Sequence, residues 1–344
     1  MCPLIIVMEM NMYLAAVRLL TLAVSLGFLA CSAFAAAHDN DRSDSQWVVS
    51  DSGLFAFDPE TLAMRWHQLQ DQQTFEPVVI DDRLLVTGSR GLYAVASESG
   101  DILWKRSSKQ VGFPVVSAGE IAYLASRDGS LEAIDSRTGS TLWQQQFPGW
   151  VYPPAQSGEL LFTGGSDGRL WAIDRNNGDL RWSSSVGQEM VYSPVALADG
   201  QIIVTTFNRE VISFDRLGNR LWRQTYPAIM TTPMVLNGQL IFNGLDRRLR
   251  AIDADSGKIL WQRQLPEPLV TGLRHQRGLL LAALESGRVW VLISDSGELQ
   301  QEYRLPGEPI TRPLLVDGEV LGFIRAFGGP KAVVATRFEQ SEKK

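Results

Sequence analysis

From residue 46 onward, apolar and polar positions alternate in short runs broken by turn residues. "LLFTGGSDGRLWAID" (160–174) and "LIFNGLDRRLRAID" (240–253) show the pattern: a short apolar run, a polar turn, then a second apolar run. Period-two runs of this length, bounded by Gly, Asp, Asn and Ser, predict β-hairpins rather than helices. The turns are of two kinds. "SRDG" (126–129), "GSDG" (165–168) and "LESG" (284–287) are tight turns whose Gly takes a positive φ at little cost. "DSRTG" (135–139), "DRNNG" (174–178) and "DADSG" (253–257) are longer; there the Asp carboxylate accepts backbone N–H groups and the Gly reverses the chain. No apolar stripe of useful length at helical spacing follows residue 46.

The pattern repeats. "GSLEAIDSRTGSTLW" (129–143), "GRLWAIDRNNGDLRW" (168–182) and "RRLRAIDADSGKILW" (247–261) are three copies of one unit. Trp66, Trp104, Trp143, Trp182, Trp222 and Trp261 recur at spacings of 38, 39, 39, 40 and 39 residues. Gly100, Gly139, Gly178, Gly218 and Gly257 each sit four positions before a tryptophan, and a seventh copy keeps Gly297 but has Gln301 in place of Trp. Each period holds about four strands: one after a proline (Pro77, Pro114, Pro154, Pro194, Pro233, Pro313), a hairpin pair, and one carrying the Trp. Four short antiparallel strands repeated radially make a β-propeller, with each tryptophan wedged against the next blade.

Central hairpins begin near Trp47, Leu84, Ile121, Leu160, Gln201, Leu240, Leu279 and Val320, which predicts eight blades, with seven and a composite closure as the alternative. The first blade lacks its inner strand and the last, ending "AVVATRF", lacks its Trp-bearing strand, so the two ends must meet to close the ring. Trp171 and Trp290 share a third-strand position with Phe55, Tyr93, Glu132, Ile212 and Arg250. A position holding Trp, Glu and Arg alike is expected to be half exposed between blades.

The first 37 residues differ. A basic start, an apolar run from Leu19 to Ala30 and an alanine-rich exit predict a secretory leader over 1–37, then a flexible segment over 38–46, the propeller over 47–338 and a polar tail over 339–344. The mature protein is then periplasmic. Both cysteines, Cys2 and Cys31, fall in the leader, and lipid attachment at Cys31 is the alternative to cleavage beyond it. The chain is 45% hydrophobic and 20% charged with a net charge of −6, a globular composition, and it has no Lys/Arg run to serve a nucleic-acid partner.

The "AIDSRTGSTLW" type of unit resembles the PQQ-type propeller repeat, and among short secreted chains it is most similar to the family of the outer-membrane protein assembly factor BamB. The resemblance covers the whole mature chain. It implies a non-enzymatic, monomeric scaffold bound to a protein partner in the outer-membrane barrel-assembly machinery. Two features depart from the family pattern: the chain enters mid-blade at "WVVSDSGLFAFD", and the extended loop that contacts the assembly partner has no clear counterpart. The alternative is a quinoprotein-type oxidoreductase or its sensor or accessory subunit. Such enzymes resemble the repeat but hold their quinone under a disulfide of adjacent cysteines, with Ca²⁺ on Glu, Asn and Asp. Adjacent cysteines are absent here, and "DRNNGD" occupies an ordinary repeat turn. His38, His67 and His275 accompany no G-x-S-x-G elbow. No catalytic residue, cofactor or metal is expected.

Partner-binding candidates lie just before the strand-opening prolines, where residues vary within a regular repeat. Phe75, Glu76, Phe113, Trp150, Tyr152, Tyr192 and Arg312 are chosen. The aromatics would form a crescent on one face, with Glu76 and Arg312 flanking it.

Overall fold

The third repeat shows how alternation becomes structure. Its strands Val116–Ala118, Ile121–Ala125, Ser130–Asp135 and Thr141–Gln146 pair antiparallel in chain order. The second and third strands bury most of their side chains, while the outermost alternates exposed and covered positions. The computed structural model describes residues 46–337 except 51–52, 59–60, 62, 108–112, 188–190, 192–194, 197–198, 232, 311, 317–318, 327–328 and 335. The leader and Cys31 lie outside the described residues.

The same order recurs around the chain to give eight sheets. Five have four strands, the seventh has a fifth strand, and the first and last have three each. The protein is an all-β propeller whose eight sheets are its blades. Their hairpins begin within one residue of the positions that the alternation marks, from Gln46 in the first blade to Glu319 in the last. Among the described residues no helix is long and apolar enough to cross a membrane.

The tryptophan repeat becomes the joint between blades. Each ring lies over the glycine of the following blade's third turn: Trp143 over Gly178, Trp104 over Gly139, Trp222 over Gly257. At Gly178 an added Cβ would stand 2.7 Å from the Trp143 ring, and the backbone there has φ +79, so both space and conformation require glycine. Five of the six indoles also donate Nε1–H to a carbonyl of that same turn, at 2.9–3.2 Å. Trp261 stacks over Gly297 without that bond among the described residues. Trp143 is buried and the other five indoles are half-buried. Trp182, expected to be a large buried wedge, is thus only partly covered.

The residue before each tryptophan is a β-bulge. Ala133 faces Trp143 and Ile134 faces Thr141, which leaves Leu142 unpaired and about half exposed. Leu103, Leu221 and Leu260 are skipped in the same way. A bulge sharpens the twist of the outer strand.

The third-strand position expected to be half exposed is mostly buried: Phe55, Trp171 and Ile212 are covered, and Arg250 has no exposed surface at all. Arg250 is tolerated because Asp246, four residues earlier in the turn, forms a bidentate ion pair with it. That guanidinium holds the Asp246 carboxyl below the usual carboxylate range. A buried cation survives only with such a partner. Glu132 and Trp290 are the members that stay partly exposed.

The two short blades meet to close the ring. Phe55 and Phe57 of the first blade pack with Phe323 of the last, and Ile310 lies against them. A short C-terminal strand, Thr336–Arg337, pairs with the outer edge of the seventh blade instead of completing the eighth.

Candidate partner-binding face

In an antiparallel sheet taken in chain order, alternate turns lie at opposite ends. One face of the propeller therefore carries the first–second and third–outer turns, including the glycines under the tryptophans. The other carries the central hairpin turns and the connections between blades. On this second face, among the described residues, six connections are each stitched to the next blade's central turn by a single bridge, such as Val151 to Gly165 and Met230 to Gly244.

Three of the chosen aromatics converge here. The Phe113 and Tyr152 rings lie 5.0 Å apart and tilted by 54°. Arg127, from the central turn of the third blade, sets its guanidinium carbon 5.9 Å from the Phe113 ring and 5.3 Å from the Trp150 ring. Backbone ties hold the frame. Thr87 Oγ1 donates to the Phe113 carbonyl at 2.9 Å, Tyr152 N–H donates to the Gly164 carbonyl at 3.0 Å, and Trp150 N–H donates to Ser166 Oγ at 2.9 Å. Phe207, from the fifth blade's central turn, and Ile229, from the connection into the sixth, pack against the buried core cluster that contains Phe113 and Tyr152.

Burial grades these residues. Phe113 and Tyr152 are 5% and 6% exposed, so their rings belong mainly to the core, while Trp150 and Arg127 are half-buried. Burial pushes the Tyr152 hydroxyl up to about 12, with the nearby Arg127 charge opposing that shift. Phe75, 9% exposed, donates its N–H to the Thr87 carbonyl. Tyr192 lies outside the described residues.

Glu76 and Arg312 were expected to flank a bound chain; they form an ion pair with each other. They come from the connections leading into the second and eighth blades. Their bond spans the place where the first blade has no inner strand.

Sequence reasoning missed Arg127 because "SRDG" reads as a turn and nothing more. Its signal was available in the aligned turns. The second turn residue is Arg127, Ser166, Phe207, Leu245 and Glu285 in blades three to seven, while the fourth keeps positive φ throughout. Variation at a fixed, surface-facing turn position is where binding differs from scaffold. Among the described residues no three His, Cys, Asp or Glu side chains gather as a metal site would need.

Comparison with known proteins adds the following. The sequence profile described as outer membrane protein assembly factor BamB matches residues 50–190 and 167–341. Outer membrane protein assembly factor BamB of Nitrosomonas eutropha is 29% identical over 104 residues, 28% of this chain and 25% of that protein. The protein of the same name from Bordetella pertussis is 31% identical over 113 residues, 30% of this chain and 29% of its own length. The matched segments thus span under a third of these relatives. Among solved structures, BamB from Moraxella catarrhalis superposes with TM-score 0.66 at 16% identity, covering 84% of this chain and 96% of that one. The computationally designed Ika8 protein gives 0.72 at 13% identity, covering 85% and 93%. At these identities the structural likeness concerns the fold.

Proposed function

Because this chain belongs to the family of the outer membrane protein assembly factor BamB, we propose that it is a non-enzymatic periplasmic scaffold that holds a protein partner of the outer-membrane barrel-assembly machinery. The observation that carries this reading is the connection face, where a regular, glycine-locked propeller presents variable turns around Arg127 and Trp150. Rigid blades fix the positions of these turns, and short loops on a stiff frame lose little entropy when they bind. Half-buried aromatic and arginine side chains are the residue types that anchor protein interfaces.

Site-specific crosslinking in intact cells tests the proposal. A photoreactive residue replaces Asp128, exposed on the connection face, or Leu217, exposed on the opposite face. Capture of a barrel-assembly component from position 128 and not from 217 is expected. Capture from 217 alone, or of an inner-membrane enzyme or sensor from either position, overturns the reading.

A further inference from the structure

Ten arginines of the described residues are paired with carboxylates around the molecule, Arg250 with Asp246 and Arg312 with Glu76 among them. Arg127 is not. It lies within cation–π reach of two aromatic rings, its Nε is shut away from solvent with no hydrogen-bond partner, and among the described residues no carboxylate lies within ion-pair reach of it. Three acids of the central turns are already committed. Asp128 accepts from Ser130 N–H and Oγ–H, Asp167 from Arg169 N–H, and Asp246 from Arg250. Arg90, Arg209 and Arg247 of the same set of turns also lack a carboxylate partner among the described residues. These four arginines lie on one face, while the turns of the opposite face are rich in Asp.

We propose that Arg127 is the receptor for a carboxylate of the partner, an Asp or Glu side chain in an extended acidic segment whose flanking apolar residue lies on the Trp150 ring. The assignment rests on the scaffold reading and names its specificity. Its physical basis has three parts. A guanidinium meets a carboxylate through two parallel N–H···O bonds, which are stronger than neutral ones and fix direction. Cation–π contact with Phe113 and Trp150 restrains the guanidinium before the partner arrives, so less side-chain freedom is lost on binding. Partial burial weakens screening by water and strengthens the pairing.

The test uses the mature protein and two fluorescein-labelled peptides, acetyl-Tyr-Glu-Phe-Glu-Tyr-amide and the same peptide with Gln for Glu. The Glu peptide is expected to bind about ten-fold tighter or more, the usual worth of a charge-assisted bond that is partly shielded. Arg127→Gln should erase that preference, and Arg127→Lys, which keeps the charge but loses the planar fork, should weaken it several-fold. Thermal midpoints should stay unchanged. Equal binding of the two peptides, no binding of the Glu peptide, survival of the preference in Arg127→Gln, or displacement by inorganic phosphate as readily as by peptide overturns the assignment. If Arg127→Gln unfolds, Arg127→Glu with a Lys-substituted peptide decides: restored binding supports the site and its absence refutes it. Continued capture of a barrel-assembly component from position 128 alongside any refuting result leaves the scaffold reading standing. Failure of that capture removes the scaffold reading itself.

Discussion

The joints between internal blades and the joint that closes the ring do the same work by different means. Six of the seven internal joints are a tryptophan laid over a glycine, five of them with the indole N–H bonded to a carbonyl 31–34 residues further along. The closing joint has no tryptophan. It consists of Phe57 against Phe323 at 4.8 Å, Ile310 behind them, and the Arg312–Glu76 pair joining residues 236 positions apart. Internal joints pair neighbours in the chain, so they cost little loop entropy and are written once per repeat. The closing joint must tie distant segments and is written nowhere in the repeat. Local motifs therefore set how blades stack, while a separate and less regular patch sets whether they close.

Four measurements would break or sharpen that contrast. Trp143→Ala, at the best covered internal joint, should lower stability by about 3–5 kcal/mol, as for other buried aromatics. A loss below about 1 kcal/mol in thermal or denaturant melts would show that the stacked ring is not the latch. Phe323→Ala should cost about 3 kcal/mol and, unlike Trp143→Ala, should raise hydrogen exchange chiefly in the first and last blades. Uniform exchange across all blades would erase the distinction between the joints.

Alkali should act on the interior and spare the seam. Burial pushes the hydroxyls of Tyr123 and Tyr152 up to about 12 from 10.0. The folded state thus keeps protons that the unfolded chain releases. Stability is then intact below pH 10 and falls as pH rises toward about 12, by at most about 1.4 kcal/mol per pH unit for each tyrosine. The seam rings Phe55, Phe57 and Phe323 do not titrate. Tyr123→Phe with Tyr152→Phe should flatten the decline, and an unchanged slope would locate the alkaline weakness elsewhere. The smallest effect belongs to Glu76→Gln. Because Glu76 is 47% exposed, the pair with Arg312 should contribute only about 0–1 kcal/mol. A larger drop in the thermal midpoint would make the pair, and not the phenylalanines, the main fastener of the ring.

Much of the scaffold was legible in the chain. Hairpin positions follow from period-two alternation, which depends only on neighbouring residues, and the tryptophan–glycine spacing follows from the length of one blade. The candidate face was legible only in part. Phe113, Trp150 and Tyr152 stand out as aromatics before strand-opening prolines, but the depth at which each ring sits depends on how the connection tucks under the next central turn. Arg127 was hidden because its turn reads as structural, and its lack of a carboxylate emerges only when distant segments are brought together. Arg250 misled for the related reason that Asp246, its neutralising partner, lies in an unremarked turn.

The sequence by itself determined the blade: four short strands, their turns, and a tryptophan at one phase meeting a glycine at another. These are local consequences of side-chain alternation, glycine conformation and repeat length, and each repeat states them again. Tertiary structure alone decided how the ring closes, which charges neutralise each other, and which arginines lack a carboxylate. Such outcomes depend on distances between segments far apart in the chain, and they arise only once the blades have packed and water has been excluded from between them.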